Sequence, residues 1–112
     1  MNPIKQTRPF IEANLNTFGI EWGNKGRVSD DFKFLVYGKP NYGKQIGLYG
    51  RKDTVIRLEK YDQNISGVEK LDKCAKSHAA ESDYSNFKNH KGDCVMVDNT
   101  MALTKLLEWY FQ

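Results

Sequence analysis

Residues 32–61, FKFLVYGKPNYGKQIGLYGRKDTVIRLEKY, decide the fold that the sequence predicts. Apolar residues recur at every second position of residues 32–38, which is typical of a β-strand with one buried face. Residues 45–50 and 54–61 predict a second and a third strand. The connections between these strands are short and contain proline, glycine and lysine. We therefore expect consecutive strands to be antiparallel neighbours.

The alternation within these strands assigns their residues to two faces of a sheet. The row expected to face the core consists of Phe34, Val36, Ile46, Leu48, Ile56 and Leu58. The row expected on the open face consists of Lys33, Tyr37, Tyr49, Arg51 and Arg57. Val55 and Glu59 are expected to face outward beside Arg57. A register shift of one residue would exchange the two rows, so both assignments depend on the register.

Segments on either side of this region complete the predicted fold. Residues 7–17 predict a helix, and residues 20–22 predict a brief strand. A Ser-x-x-Glu capping box that begins at Ser66 predicts a middle helix over residues 66–80. A short buried strand is predicted at residues 94–97.

The C-terminal segment predicts a last helix, capped by Asp98 or Thr100. Trp109 or Phe111 is a candidate for an exposed patch that binds a partner, and closure of the core is the alternative. The sequence predicts a single α+β domain, residues 1–112, with an antiparallel sheet of about four to five strands. The N-terminal, middle and C-terminal helices are expected on one face of that sheet. The apolar stripe expected on the last helix consists of Met101, Leu103, Leu106, Leu107 and Tyr110.

Charge is distributed unevenly along the chain. The formal net charge is +3, but residues 33–60 hold seven lysines and arginines against two acidic residues. Residues 61–112 hold six cations and eight acids. No apolar run reaches the roughly 18 residues of a membrane span, so we expect no membrane partner and a cytoplasmic location. In that location Cys74 and Cys94 are expected to be reduced thiols.

Tyrosine, glycine and a cation follow one another three times between residues 37 and 52, and residues 32–52 contain no acidic residue. On an open sheet face, such residues neutralise phosphates and stack on unpaired bases, as in sheet-based binders of RNA. The structural alternative is that tyrosine favours strands and that lysine and arginine protect sheet edges. We predict a small non-catalytic binding module, with single-stranded nucleic acid or RNA as its best target. The predicted binding residues are Lys33, Tyr37, Lys39, Tyr42, Lys44, Tyr49, Arg51, Lys52 and Arg57.

The cysteines and histidines of the chain are Cys74, His78, His90 and Cys94. Two thiolates and two imidazoles satisfy tetrahedral zinc, so these four residues are a candidate structural zinc site. Their spacing matches no common zinc finger, and both cysteines also suit a buried apolar position. We therefore expect no cofactor, with zinc as the alternative.

Two other functions are compatible with the same residues. The first is a small inhibitor, antitoxin or immunity-type protein that blocks a larger partner, since tyrosine and arginine also anchor protein interfaces. The second is a ribonuclease-like toxin, in which His90 acts as a general acid or base beside Arg51, Arg57 or Lys91. The sequence contains no phosphate-binding glycine loop and no serine nucleophile motif, so we expect no enzymatic activity.

Overall fold

Helices precede and follow a run of β-strands in this chain. A computed structural model describes residues 4, 7–22, 34–38, 45–49, 55–72 and 92–112, and for residues 21–22, 34–38, 45 and 49 it describes the backbone. In chain order, the elements are α1 (Thr7–Ala13), α2 (Leu15–Phe18), β1 (Ile20–Trp22), β2 (Phe34–Gly38), β3 (Gln45–Tyr49), β4 (Val55–Leu58), β5 (Val68–Lys70), β6 (Asp93–Val97) and α3 (Thr100–Tyr110).

The strands form one sheet in the order β1-β2-β3-β4-β6-β5, and each neighbouring pair is antiparallel. The three strands predicted within residues 32–61 are confirmed as β2, β3 and β4. The brief strand predicted at residues 20–22 is β1, and the strand predicted at residues 94–97 is β6. Within the described ranges the sheet has six strands, because β5 forms where a helix was expected. The α+β fold class is confirmed.

The hydrophobic core lies on one face of this sheet. The register pairs Phe34 with Leu48 and Leu48 with Ile56, as the alternation predicted. α3 contacts β5 and β6, and α1 contacts α3. Each large aliphatic side chain contributes about 1.5–3 kcal/mol when it is fully buried, so this cluster provides the main stabilisation of the fold. The buried residues of the cluster are Ile11, Ile20, Ile46, Leu48, Ile56, Leu58, Tyr61, Val95, Val97, Ala102, Leu103, Leu106, Leu107 and Tyr110.

The predicted N-terminal helix is divided at Asn14. The Asn14 side-chain Nδ2 donates a hydrogen bond of 2.8 Å to the carbonyl of Phe10, which an unbroken helix would bond to the Asn14 backbone N–H. That N–H instead donates to the carbonyl of Ile11, at 3.1 Å. Asparagine commonly competes with the backbone in this way, so α1 and α2 form in place of one longer helix. Gly19, in the left-handed conformation with φ of 63°, then ends α2.

The middle helix predicted over residues 66–80 is wrong in the part that the structure describes. Gly67 lies in a turn with φ of +85°, a left-handed conformation that ends a helix, and β5 follows at once. The carbonyl of Gly67 accepts a hydrogen bond of 3.0 Å from the backbone N–H of Asp98, and β5 pairs with β6. This pairing satisfies the backbone groups that the helix would have satisfied internally. Residues 73–80 lie outside the described part of the chain.

The C-terminal helix is confirmed as α3, but its cap and one core position differ from the prediction. The N-cap is Asn99, not Asp98 or Thr100, and its side chain accepts a hydrogen bond of 2.8 Å from the backbone N–H of Ala102. Met101 is 68% exposed, so its assignment to the core stripe is wrong. The buried residues of α3 are at positions 102, 103, 106, 107 and 110, and this spacing places them on one face of the helix.

Candidate functional site

Three positions of the predicted binding surface share one face of the sheet. The register pairs Arg57 with Gly47 and Tyr49 with Val55, and Tyr37 belongs to the same alternation on β2. Directly paired residues lie on the same face of a sheet. Positions 37, 49 and 57 therefore lie on the face opposite the core row. The observed register is the one that the prediction assumed.

Arg57 is buried, which corrects the prediction that it contacts a ligand from an open face. Its relative exposure is 0%, and Val55, which was also expected to face outward, is 7% exposed. Arg57 lies between Gly47 and Cys94 in the sheet, and these small residues leave room for a long side chain. The Arg57 side chain also reaches Gly92, where an added Cβ would lie 3.1 Å from Nε. The sheet face is therefore closed to a ligand at Arg57.

The strands determine where two basic segments join the sheet. Residues 39–44 connect β2 to β3, and residues 50–54 connect β3 to β4. β3 is a single extended strand of five residues, Gln45–Tyr49. Its two ends are about 13 Å apart, so the two basic segments start at opposite ends of the sheet. The predicted binding residues that lie outside the described part of the chain are Lys33, Lys39, Tyr42, Lys44, Arg51 and Lys52.

Exposed acidic residues lie toward the edge of the sheet that β5 forms, around β5 and β6. Lys70, on β5, forms an ion pair with Asp93, on β6, with 3.4 Å between Nζ and Oδ2. Charge therefore differs along the strand order of the sheet: the segments that connect β3 to its neighbours are rich in cations, whereas the exposed residues on and around β5 and β6 include four acids and two lysines, Lys60 and Lys70. The exposed acidic residues in this second region are Asp62, Glu69, Asp72 and Asp98.

Cys94 is 1% exposed on β6 and is disulfide-bonded, which corrects the prediction that it is a reduced thiol. A disulfide sulfur is not a thiolate, so Cys94 does not serve as a zinc ligand in this state. Cys74, His78 and His90 lie outside the described residues. Within the described ranges, no three or more Cys, His, Asp or Glu side chains form a group that could hold a metal ion. Reduced thiols were expected from the predicted cytoplasmic location, whereas disulfides persist mainly in oxidising compartments. The location itself stays a prediction.

The structure also contains a pocket that the sequence did not predict. It lies between the segment that follows β4 and the C-terminal end of α3, and its volume is about 180 Å³. Aromatic residues of α3 and two acidic residues that follow β4 share its lining. No spacing rule joins these residues, because the carboxylates follow β4 and the tryptophan is near the end of the chain. The lining residues are Glu59, Lys60, Asp62, Trp109 and Tyr110.

Hydrogen bonds and ring contacts hold the walls of this pocket. The backbone N–H of Glu59 donates to Tyr110 Oη at 3.1 Å, and the backbone N–H of Tyr61 donates to Asp93 Oδ2 at 2.7 Å. The Trp109 ring packs edge-on against the Tyr61 ring, with 5.7 Å between centroids and 86° between planes. Trp109, a candidate for a partner patch, is therefore partly buried and held in the pocket wall.

The Asp62 carboxylate stays ionised at neutral pH. The Gln63 side chain donates a hydrogen bond of 3.0 Å to Asp62 Oδ1, and this bond is the main reason why the pKa of Asp62 lies below its usual value. The positive charges of Lys60 and Lys70 lower this pKa further. The pocket thus presents a permanent negative charge beside an aromatic ring.

Comparison of the chain with protein-family models, with curated proteins and with solved structures finds no match. In the described ranges, no helix has the length and apolar character that a membrane span requires. The function of the protein is therefore inferred from its own residues and geometry.

Proposed function

We propose that the protein is a small non-catalytic binding module for nucleic acid, which it contacts through the basic, tyrosine-bearing segments at the two ends of β3. The observation that supports this proposal is the charge difference across the sheet. The segments at residues 39–44 and 50–54 contain four cations and one acid, Asp53, whereas four exposed acids lie around β5 and β6. Phosphates are attracted to the first region and repelled by the second.

Burial of Arg57 changes the geometry of the proposed site. A strand of nucleic acid does not lie flat across the centre of the sheet, because Gly47, Val55 and Arg57 are all buried there. The cations instead contact phosphates from the ends of β3. Tyr42, in the connection between β2 and β3, supplies an aromatic ring for an unpaired base, and such stacking contributes about 1–3 kcal/mol per base. This arrangement favours a flexible single strand over a stiff duplex. The proposed binding residues are Lys33, Tyr37, Lys39, Tyr42, Lys44, Tyr49, Arg51 and Lys52.

Fluorescence anisotropy with labelled single-stranded RNA, single-stranded DNA and duplex DNA tests the proposal across a salt series. The test variant, Lys44→Gln/Arg51→Gln, removes one cation from each connection. The control variant, Lys60→Gln/Lys105→Gln, removes the same charge from two exposed positions elsewhere. If both cations contact phosphates, the slope of log affinity against log salt should become shallower by about 1.4 in the test variant, at about 0.7 per phosphate on single strands. The control should keep the wild-type slope.

Three results would contradict the proposal. Equal slopes in the two variants would show that only the net charge matters. Binding that salt does not weaken would favour the inhibitor-type alternative, in which the target is a protein. Cleavage of the RNA, lost in a His90→Ala variant, would favour the ribonuclease-like alternative.

A further inference from the structure

We propose that the pocket formed by residues 59–62 and the end of α3 binds an arginine side chain presented by a partner protein. This proposal is independent of nucleic-acid binding, because the pocket lies on the acidic side of the molecule.

The charge of the pocket suits a cation. Glu59, Lys60 and Asp62 are among its lining residues, so the lining holds one more negative than positive charge. Lys60 Nζ lies 3.9 Å from Asp62 Oδ2, and the two side chains are 75% and 54% exposed. An ion pair that is both long and exposed is weak. A guanidinium group can therefore displace the Lys60 ammonium from Asp62 without breaking a strong contact.

The aromatic ring favours arginine over lysine. Trp109 packs against Tyr61 with 5.7 Å between ring centroids and against Tyr110 with 5.9 Å, so its orientation is determined before a ligand arrives. Tryptophan is the side chain that attracts cations most strongly through its ring. The planar guanidinium stacks on such a ring and also directs several N–H groups at a carboxylate, which an ammonium group cannot do in the same way.

The opposite wall of the pocket is equally rigid. Tyr110 Oη accepts from the backbone N–H of Glu59, Asp93 accepts from that of Tyr61, and Tyr61 Oη accepts from that of Ile65 at 3.0 Å. These three bonds hold the segment that carries the carboxylates, so little ordering is required on binding.

The size of the pocket identifies the kind of ligand. Its volume of about 180 Å³ is below the range of roughly 300–1,000 Å³ that is typical of small-molecule sites. A single long side chain suits this volume, and arginine is one of the residues that most often dominate protein interfaces. The occupant is therefore one anchoring residue of a larger surface.

NMR titration of the ¹⁵N-labelled protein with N-acetyl-L-arginine amide tests this site directly. The compound represents an arginine within a chain, and N-acetyl-L-citrulline amide is the uncharged control of nearly the same shape. We expect the arginine compound to shift the Trp109 indole N–H and the backbone amides of residues 59–62. The citrulline compound should leave them in place. Equal shifts with both compounds would overturn the proposal, as would arginine shifts spread evenly over all exposed acidic residues.

Two matched variants test whether the Asp62 carboxylate supplies the charge that binds the arginine compound. Asp62→Asn should weaken binding by about fivefold, the effect of one exposed charge pair. Asp72→Asn removes the same charge from an exposed position of the same segment outside the pocket, and it should keep wild-type affinity. Equal losses in the two variants would overturn the proposal. Free arginine should bind no better than the blocked compound, and markedly tighter binding of free arginine would show a small-molecule site instead. None of these results depends on nucleic-acid binding, so the two proposals fail or succeed separately.

Discussion

Replacing Gly67 with alanine is expected to lower the free energy of unfolding by about 2–5 kcal/mol. Gly67 has φ of +85°, and an L-residue in a left-handed conformation costs about 1–2 kcal/mol. An added Cβ would also lie 2.5 Å from Asp98 Oδ1 and 2.8 Å from the Cβ of Ala102. The Asp98 side chain is exposed and can rotate away, but Ala102 is 2% exposed on α3. The contact with α3 therefore adds overpacking of about 1–3 kcal/mol.

Urea unfolding followed by tryptophan fluorescence measures this loss as a lower midpoint at an unchanged slope. A second variant, Ala102→Gly, removes the methyl group that the new Cβ meets. In a double-mutant cycle, Gly67→Ala and Ala102→Gly together should cost about 1 kcal/mol less than the sum of the two single changes. A loss below about 0.5 kcal/mol for Gly67→Ala would place it among ordinary surface substitutions and refute the reasoning. Additive single losses would refute the contact with α3 and leave the backbone effect alone.

Three further changes test the contacts that hold α3 and the sheet. Asn99→Ala should destabilise the domain by about 1 kcal/mol through loss of the N-cap, whereas Asn99→Asp should retain the cap; thermal unfolding compares the two, and equal melting temperatures would contradict the cap. Tyr110→Phe removes the hydroxyl that accepts from the Glu59 N–H, so we expect a loss of about 1 kcal/mol and faster hydrogen exchange at that amide. Reduction with dithiothreitol should lower the unfolding free energy by about 3 kcal/mol, because loss of a native disulfide typically costs about 2–5 kcal/mol. Unchanged stability after reduction would show that the disulfide at Cys94 is not a stabilising crosslink.

The strands of residues 32–61 could be predicted because their signal is local. Alternation of apolar residues has a period of two whether or not the rest of the chain is known, and short connections force neighbouring strands to be antiparallel. The observed pairing of Phe34 with Leu48 and of Leu48 with Ile56 follows from these two facts. The α+β class then follows from the apolar stripe of the last helix, which requires a surface to cover.

The residues around Ser66 do not by themselves exclude the predicted middle helix. A serine followed three residues later by glutamate is compatible with a helix start and also with a turn before a strand. The outcome depends on Gly67, whose carbonyl bonds to the N–H of Asp98, and on the pairing of β5 with β6. These partners are 25 to 31 residues apart in sequence, so no short window centred on residue 66 contains them.

The candidate sites were harder to predict than the fold, because the exposure of a residue depends on which other parts of the chain cover it. An arginine that alternates with Ile56 and Leu58 is normally expected in solvent. Arg57 is nevertheless buried, beside Gly47 and Cys94 of the neighbouring strands, and the alternation within β4 contains no sign of this. The pocket at Trp109 could not be predicted locally either, since it exists only where the end of α3 meets the segment after β4.

The position of β6 beside β4 has a consequence for synthesis of the chain. Val55–Leu58 are buried in the finished sheet, yet one edge of this strand is paired only with residues 93–95. A nascent chain that has not reached residue 93 therefore carries an apolar strand with unpaired backbone groups, the kind of edge that recruits other strands. At about 5–20 residues per second, the ribosome takes roughly 2–7 s to add the residues between β4 and β6. During that interval the unpaired edge of β4 is open to other strands, and truncated products that end before β6 are candidates for aggregation.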